Sequence, residues 1–417
     1  MTIEVAELFA GVGGFRLGLE RAGGFETVWA NQWEPPGSDA RQFAWRCYEA
    51  HFGRGSCVNR DIEEVLAEAE SGALDIPDVD GLCAGFPCQD YSVAKPSSRA
   101  RGIEGRKGGL WWGIYRFLKL KRPVFALLEN VDRLLKSPVS QRGRDFAVIL
   151  SCLHELGYCA EWRVLNAADY GMPQKRRRVF ILAYRPGSGL GGTLDAAFPC
   201  KLPDGPGGQV ARAADVSGEP WEVAAAFAAD SPKASIWQVS GSMSADGAVA
   251  TCKVLPVYDG PAVTLGDLRV PDSEVPEAFF IDPRDLPRWE RQRAAKMVER
   301  TTAAGYTYTY SEGAMAWPDP LDKPARTILT GEGGKAASRM KHAVYAEDGR
   351  IRRLVPDELD MIQTFPRGWT AAGGLSDSQR AFCMGNALVV GIVERIGAEV
   401  ARRLGTGAAD RREPGCS

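Results

Sequence analysis

The sequence has little of what several classes of protein require. Its 417 residues include only three histidines (His51, His154 and His342), and its 10 cysteines form no CxxC pair. This pattern predicts neither a metal centre nor a disulfide scaffold. No apolar run approaches the roughly 20 residues that cross a bilayer. The N-terminal stretch MTIEVAELFAG has no basic leader, so we expect a cytoplasmic protein without a signal peptide.

The bulk composition is that of an ordinary globular chain. Hydrophobic residues make up 45% and charged residues 25% of the sequence. The length predicts two domains, at roughly 100–200 residues per domain. The net charge is −2, so any affinity for nucleic acid has to come from local clusters of positive charge.

The order of predicted elements divides the chain. Over residues 1–188, strand-like runs (3–10, 26–31, 79–86, 124–130, 160–167 and 177–184) alternate with helical patterns (15–23, 39–52, 111–121 and 145–158). This alternation predicts an α/β fold with a Rossmann-like, doubly wound and mostly parallel sheet. Residues 189–350 are rich in Gly and Pro, with strand-like pieces at 305–313 and 324–334, and predict a second, smaller and irregular domain. Residues 351–408 are helical again, over 355–365 and 391–404, and 409–417 are predicted to be a disordered tail.

A glycine-rich turn follows the first predicted strand, in ELFAGVGGFRLGLE. Glycines at this point let backbone amides and a helix start approach a ligand closely. Polar residues about 20 positions later commonly hold ribose hydroxyls, and here NQWEP supplies Gln32, Trp33 and Glu34. Taken alone, the motif is also compatible with a merely tight turn.

A cysteine follows a proline in GLCAGFPCQDYS. Pro87 places Cys88 at the carboxyl end of a predicted strand, the edge at which open α/β sheets bind ligands. Inert buried cysteines are common, so the residue alone leaves open a core position or a nucleophile. A site of the tyrosine-phosphatase type would need an arginine six residues later, where Ala94 stands.

A carboxylate ends the apolar strand in LLENV. Burial at the exit of such a strand should raise the pKa of Glu129, because desolvation penalises the charged form. A raised pKa suits a group that donates a proton near neutral pH. A salt-bridge partner or a helix N-terminal acid is the alternative.

The run QKRRRV enters the next predicted strand. Alternation places Arg176 and Arg178 on one face and Lys175 and Arg177 on the other. Two guanidinium groups at the ligand edge suit an anionic or carbonyl-bearing ligand. The alternative is a solvated run of charge.

These four motifs, in this order, resemble those of the DNA cytosine-5 methyltransferases of bacterial restriction–modification type. The resemblance covers essentially the whole chain: FAGVGG is similar to the cofactor loop, GFPCQ to the nucleophile loop, ENV to the acid motif and QKRRR to the arginine motif. RRLVPDELDMIQTFP and GNALVV are similar to the last two motifs. The resemblance implies a class I methyltransferase fold, with 1–188 as the catalytic domain, 189–350 as the target-recognition domain and 351–408 returning to the catalytic domain. It also implies methyl transfer from S-adenosylmethionine to C5 of a cytosine flipped out of double-stranded DNA.

The resemblance assigns a role to each catalytic residue. Cys88 would add to C6 of the base as a thiolate, and Glu129 would bind N3 and the exocyclic amine. Arg178 would bind O2, and Arg176 would support the site electrostatically. No metal ion is expected.

The resemblance also implies the binding residues. The family's ribose-holding acid aligns with Gln32, and Glu34 lies two residues later, so the sequence leaves open which of them holds the ribose. DNA contacts are expected from the loop 90–109, which would close over the flipped base, and from a later segment. The expected cofactor residues are Phe9, Gly11, Gly14, Gln32, Trp33, Asp61, Ile62, Pro87, Leu110 and Asn386. The expected DNA-binding residues are Lys95, Arg99, Arg101, Thr327, Lys335 and Arg339.

Three other interpretations remain open from the sequence. A tRNA cytosine-5 methyltransferase would keep Cys88 and Glu129 but usually has a shorter recognition segment than 189–350. A non-catalytic DNA-binding relative would have lost the nucleophile or cofactor motif. A nucleotide-binding oxidoreductase explains the glycine turn but not the other motifs.

Within the methyltransferase interpretation, we expect a monomer, with any companion restriction endonuclease acting independently. The expected target is a GC-rich palindrome such as GGNCC or GGWCC.

Overall fold

The computed structural model describes residues 2–35, 42–86, 110–138, 141–229, 235–301 and 305–405. All the strands and helices predicted in residues 1–188 are present, together with α3, which the sequence analysis did not include. The strands are β1 Ile3–Leu8, β2 Phe25–Asn31, β3 Gly81–Gly85, β4 Phe125–Val131, β5 Cys159–Asn166 and β6 Arg177–Tyr184. The helices are α1 Gly14–Ala22, α2 Phe43–Phe52, α3 Ile62–Glu70, α4 Leu110–Lys121 and α5 Arg144–Glu155.

The rest of the chain holds shorter elements. The prediction of a strand over 324–334 is wrong. Within this segment only Ala325 forms a β-bridge, to Gln174. Three residues later, the Ile328 N–H binds the side chain of Gln174 instead of a neighbouring strand. The later strands are β7 Cys200–Lys201, β8 Ala211–Asp215, β9 Ser240–Met243, β10 Ala248–Cys252, β11 Leu255–Pro256, β12 Lys296–Thr301, β13 Thr307–Glu312, β14 Ala343–Tyr345 and β15 Ile351–Arg353. The later helices are α6 Thr193–Ala197, α7 Pro220–Ala229, α8 Leu286–Arg293, α9 Pro356–Ile362, α10 Asp377–Asn386 and α11 Val390–Arg403.

Within the described residues, one sheet of nine strands organises the molecule, in the order β2-β1-β3-β4-β6-β5-β9-β10-β8. The first four strands in this order are mutually parallel. β6 is antiparallel to both β4 and β5, so β5 runs in the same direction as the first four. This arrangement confirms the predicted α/β, mostly parallel fold for the strands of residues 1–188.

Three strands from the segment 189–350 extend the same sheet. β9 pairs antiparallel with β5, β10 with β9 and β8 with β10. Part of the segment predicted to be irregular is therefore continuous with the central sheet. The domain boundaries at 188 and 350 stay a prediction, and the tail 409–417 lies outside the described residues.

Helices cover both faces of the sheet. In β4, Phe125 and Leu127 pack in the core that includes α1 and α11, whereas Ala126 and Leu128 pack in the core that includes α3, α4 and α5. Because both faces are buried, this strand reads as a continuous apolar run rather than an alternating one. The sheet is thus doubly wound, and its carboxyl edge stays available for a site.

The C-terminal helix α11 returns to the first helix. A β-carbon on Gly18 would lie 2.7 Å from Cβ of Val393, so glycine at this position allows α1 and α11 to pack closely. In the part of the chain that the structure describes, no single helix is long and apolar enough to span a membrane. The pair α10 and α11 meets the length and composition required only when taken together, across a bend of 43°.

Candidate active site

The chain leaves β1 in a tight loop at the carboxyl edge of the sheet. Phe9 and Gly11 both have φ of +57°, and Gly13 has φ of +87°. A β-carbon on Gly13 would lie 2.3 Å from the ring of Phe52, so only glycine fits there. At Gly11, by contrast, no heavy atom of the described residues other than Gly11 and its two chain neighbours lies within 4 Å of the β-carbon position. The backbone of this loop therefore borders open space, as a ligand-binding loop requires.

Gln32 reaches the glycine loop from the end of β2. Its Oε1 accepts a hydrogen bond from the Gly11 N–H at 2.8 Å, and its own carbonyl accepts one from Asn59 Nδ2 at 2.6 Å. The main chain of Glu34 is held by Gln42, whose Oε1 accepts the Glu34 N–H at 2.9 Å. The Gln32 side chain thus binds the glycine loop directly; whether Gln32 or Glu34 holds the ribose stays open.

The other predicted cofactor residues lie on the elements around this loop. Asp61 caps α3, where its Oδ1 accepts the Glu63 N–H at 2.9 Å, and Ile62 is buried in the first turn. A β-carbon on Gly14 would lie 3.3 Å from Leu388, so the GNALVV motif lies beside the start of α1. Trp33 is half-buried, Leu110 begins α4 against the core, and Asn386 is exposed at the end of α10.

The acid and arginine motifs meet at adjacent strands. Arg178 Nε lies 2.9 Å from Glu129 Oε1, and the two side chains are only 16% and 12% exposed. Glu129 Oε2 faces the end of β3, 3.5 Å from the position of a β-carbon on Gly85. Burial raises the pKa of Glu129 above its usual value, against the opposing charges of Arg178 and Arg176. The predicted direction of the Glu129 pKa shift is confirmed. The salt bridge that the sequence left open as an alternative role for Glu129 is also present.

Arg176 is fully buried and binds two segments distant in sequence. Its Nη1 donates to the Ile328 carbonyl at 3.0 Å and its Nη2 to the Gly385 carbonyl at 2.9 Å. Burial, reinforced by the charge of Arg178, lowers the pKa of Arg176 to about 9. Lys175 and Arg177 are exposed, so the predicted alternation of the run is confirmed. Arg176 therefore joins the arginine motif to the C-terminal part of the chain.

Asn130 has a positional role that the sequence did not reveal. Its Nδ2 donates to the Phe86 carbonyl at 2.6 Å, and its Oδ1 accepts the Val131 N–H at 2.8 Å. The side chain is 1% exposed. Because Phe86 immediately precedes Pro87, Asn130 holds the last described residue before the segment that contains Cys88. Its place beside Glu129 in the ENV motif was the available signal.

A chain of buried amides was also missed. Gln174 Nε2 donates to Gln363 Oε1 at 3.0 Å, and Gln363 Nε2 donates to the Met384 carbonyl at 2.6 Å. Gln174 Oε1 accepts the Ile328 N–H at 3.0 Å. Both glutamines have no measurable exposure. Gln174 begins the QKRRR run, and Gln363 follows the last helical residue of DELDMIQ. The sequence therefore shows an amide in each motif, but it does not show that the two amides bind each other.

The predicted DNA-binding residues are placed differently from one another. Thr327 lies beside the arginine motif, where its hydroxyl donates to the Lys175 carbonyl at 2.5 Å. Lys335 is exposed. Arg339 Nη1 donates to the Ala294 carbonyl at 2.9 Å, so this guanidinium is engaged within the protein. The predicted residues Pro87, Cys88, Lys95, Arg99 and Arg101 lie outside the described residues.

The ligand edge is built around a glycine loop, and β6 is reversed between β4 and β5. These are features of the class I S-adenosylmethionine-dependent methyltransferase fold. More particularly, the chain belongs to the C-5 cytosine-specific DNA methylase family, whose model matches residues 3–218 and 278–402. The unmatched residues 219–277 include β9 and β10, which extend the sheet. The predicted family is confirmed.

Individual relatives span nearly the whole chain. It is 41% identical over 415 residues to the Type II methyltransferase M.Sau3AI of Staphylococcus aureus, covering 95% of each chain. It is 27% identical over 390 residues to the Type II methyltransferase M.HhaI of Haemophilus parahaemolyticus, covering 94% of this chain and 91% of that one. Among solved structures, a DNMT2 variant of Spodoptera frugiperda is similar with a TM-score of 0.58 at 15% identity, covering 97% of this chain and 99% of that one. This last similarity concerns the fold.

Proposed function

We propose that this DNA cytosine-5 methyltransferase acts on a short specific sequence of double-stranded DNA, through a covalent bond between Cys88 and C6 of a flipped-out cytosine. The observation that carries the proposal is the buried pair of Glu129 and Arg178 at the end of β4 and the start of β6. It lies beside the end of β3, and Cys88 follows Gly85 by three residues. A carboxyl group that can exchange a proton, next to a guanidinium, suits a ring that exposes both a nitrogen and a carbonyl oxygen.

The residues around the glycine loop fit S-adenosylmethionine. The open space at Gly11 admits a ligand against the backbone, and the Gln32 amide and Asp61 carboxylate supply polar contacts. Ile62 and Trp33 supply apolar surface, with Phe9, Gly14, Pro87, Leu110 and Asn386 completing the proposed set. When bound, S-adenosylmethionine supplies a methyl group on a positively charged sulfur, the electrophile that C5 requires.

The protein's own groups prepare the base. Cys88, as thiolate, adds to C6, and electron density moves to C5. Glu129, whose pKa burial raises, donates a proton at N3, while Arg178 donates a hydrogen bond to O2. After C5 is methylated, a water molecule removes the C5 proton, the Cys88–C6 bond breaks, and Glu129 recovers its proton from N3.

Access to the base requires flipping, at a cost of a few kcal/mol. We assign Lys95, Arg99 and Arg101 of the loop 90–109, together with Thr327 and Lys335, to the DNA backbone, where cations and hydroxyls fix the register. Residues 189–350 serve as the target-recognition domain. The protein acts as a monomer in the bacterial cytoplasm, within a restriction–modification system whose endonuclease acts independently. Its relatives' designation as Type II methyltransferases supports that setting.

The direct test is bisulfite sequencing of plasmid DNA from a host without its own cytosine methylation. The host would express either this chain or its Cys88→Ser variant. We expect methylcytosine at one short motif, absent from the variant. A folded wild-type protein that binds S-adenosylmethionine yet leaves every cytosine unmodified would contradict the proposal and direct attention to RNA substrates.

A further inference from the structure

A two-stranded ribbon, formed by β12 and β13, stands out from the described surface. Within the described residues, its two strands pair with each other and with no other strand, in an antiparallel register of six residue pairs from Lys296 opposite Glu312 to Thr301 opposite Thr307. Met297 is 78% exposed, a value that a core strand would not show. An exposed ribbon without a covering element needs a physical explanation.

The two faces of the ribbon differ in chemistry. Residues directly opposite each other share a face, so the register defines the two sets. The outer face carries hydroxyl groups and one carboxylate, and all its residues are exposed. Its members are Met297, Glu299, Thr301, Thr307, Thr309 and Ser311. The inner face carries Lys296, Val298, Arg300, Tyr308, Tyr310 and Glu312.

The inner face is tied down near its root, the end at Lys296 and Glu312. The Arg300 guanidinium lies 3.9 Å from the centre of the Tyr310 ring, and the Tyr310 hydroxyl donates to Glu312 Oε1 at 2.7 Å. Arg339 Nε lies 3.3 Å from Glu312 Oε2. Lys296, Tyr310 and Glu312 of the inner face are half-buried, whereas every residue of the outer face is exposed, so the outer face presents more of its side chains to a partner.

A buried ionic cluster fixes the root of the ribbon to the body. Arg339 donates to the Ala294 carbonyl at the end of α8, at 2.9 Å. In the same helix, Arg293 Nη2 lies 2.9 Å from Asp319 Oδ2, and Arg326 Nε lies 2.7 Å from Asp319 Oδ1. Although burial acts to raise it, the pKa of Asp319 is held below its usual value by the hydrogen bonds from Arg326 and Arg293. The cluster therefore stays ionised at neutral pH, and its buried bonds connect α8 to the segment that contains Arg326.

The same cluster leads on to the proposed catalytic residues Glu129, Arg176 and Arg178, which together form what we call the catalytic edge. Ala325 N–H donates to the Pro173 carbonyl and Lys175 N–H to the Ala325 carbonyl, both at 2.8 Å. The ribbon is thus joined through Arg326 and Ala325 to the run that carries the catalytic arginines. Beside this connection, Lys175, Lys323, Arg326 and Asp319 line a cavity of about 230 Å³. Because Asp319 pairs with Arg326, the positive character suited to phosphates comes from Lys175 and Lys323.

We propose that the outer face of the ribbon enters the major groove of the duplex beside the flipped cytosine and reads base edges, with Glu299 and Thr309 as the central pair. This inference rests on the proposed function. A major groove about 12 Å wide admits a two-stranded ribbon. Carboxylates accept hydrogen bonds from the cytosine amine, and threonine offers a hydroxyl for either base type and a methyl group for thymine. A rigid connection to the arginine motif is what a reader needs, because the bases read and the base methylated stand at a fixed spacing.

The test compares the wild type with the double variant Glu299→Ala/Thr309→Ala and with Val298→Thr, a matched control on the inner face. Each purified full-length protein, with S-adenosylmethionine, is given a library of duplexes randomised around a cytosine, and methylated positions are sequenced. Thermal unfolding and cofactor binding confirm that each variant is folded. We expect the double variant to accept several bases at one or two positions of the motif. We also expect it to methylate the wild-type site about tenfold to a hundredfold more slowly, the range for a lost base contact.

Each outcome decides the inference. A double variant with the wild-type motif and rate overturns it, as does an unchanged motif with an altered oligomeric state, which would make the ribbon an interface between copies. If the double variant methylates nothing, its binding to the wild-type site is compared with binding to a scrambled duplex: a lost preference supports the inference, and a retained preference overturns it. If the wild type is folded and binds the cofactor but methylates no duplex, the proposed function itself is wrong. That result differs from a change seen in the double variant alone, which concerns only the ribbon.

Discussion

The catalytic edge and the ribbon use polar side chains in opposite ways. At the edge, Glu129, Arg178 and Arg176 are almost entirely buried and bind one another or backbone carbonyls. On the outer face of the ribbon, Glu299 and Thr309 are exposed. Chemistry on a single base needs groups already in position before the base arrives. Reading a duplex needs groups that remain accessible to it, held at a fixed place by a rigid root.

The largest effect is expected when Glu129 of the catalytic edge can no longer transfer a proton. Glu129→Gln keeps the shape and the hydrogen-bonding capacity of the side chain but cannot transfer a proton to N3. We expect kcat/KM for methylation of the wild-type site to fall by about 10²–10⁴, the usual contribution of general acid–base catalysis, with cofactor affinity unchanged. Methyl transfer from labelled S-adenosylmethionine measures this, with Glu64→Gln, an exposed acid, as control. Activity within threefold of wild type would remove Glu129 from the mechanism.

A large loss of stability is expected when the buried amide of Gln363 is removed. Gln363→Leu removes the Gln363 donor from the Met384 carbonyl and leaves Gln174 Nε2 with only its longer bond to the Ile362 carbonyl, at 3.4 Å. Unsatisfied buried groups cost about 1–3 kcal/mol each, so we expect a fall of about 2–4 kcal/mol in the free energy of unfolding, measured by urea titration. The double variant Gln174→Leu/Gln363→Leu should lose less than the sum of the two single variants, because each shares a partner with the other. Strict additivity would show that the amide chain does not act as a unit.

The contrast between the two regions also explains what the sequence alone could predict. Strand order along the chain and the burial of Glu129 follow from local apolar runs, which both faces of the sheet bury. The Gln174–Gln363 bond joins positions 189 residues apart, and no local pattern specifies such a pair. Arg339 illustrates the same limit: its charge suggested DNA, whereas only the folded chain shows its bond to Ala294. The span 324–334 looked strand-like because of its composition, yet one bridge is all that the tertiary contacts allow.

A pH-dependent effect is expected under the glycine loop. Burial raises the pKa of Glu7 to about 8, and the Tyr48 hydroxyl donates to its Oε2 at 3.2 Å. An unfolded chain releases this proton near pH 4.5, so the folded state binds the proton more tightly and stability falls as pH rises from about 4.5 to 8. Glu7→Gln removes this dependence. Relative to wild type, its free energy of unfolding should rise by on the order of 2 kcal/mol between pH 6 and pH 8. Glu4→Gln, exposed on the same strand, is the control, and parallel pH curves for Glu7→Gln and wild type would refute the shift.

The smallest effect is expected at Arg339, which either fixes the root of the ribbon or contacts phosphate of the DNA. If this guanidinium fixes the root of the ribbon, Arg339→Met should speed hydrogen exchange of the amides in β12 and β13 in the free protein, because Glu312 and Ala294 lose their partner. The loss in global stability should be only about 1 kcal/mol, since the bonds lie at the surface. Arg291→Met, an exposed arginine of α8, is the matched control. If exchange in the ribbon stays at wild-type rates while affinity for any duplex falls uniformly, Arg339 contacts phosphate, as its charge first suggested, and the ribbon is held by the Asp319 cluster alone.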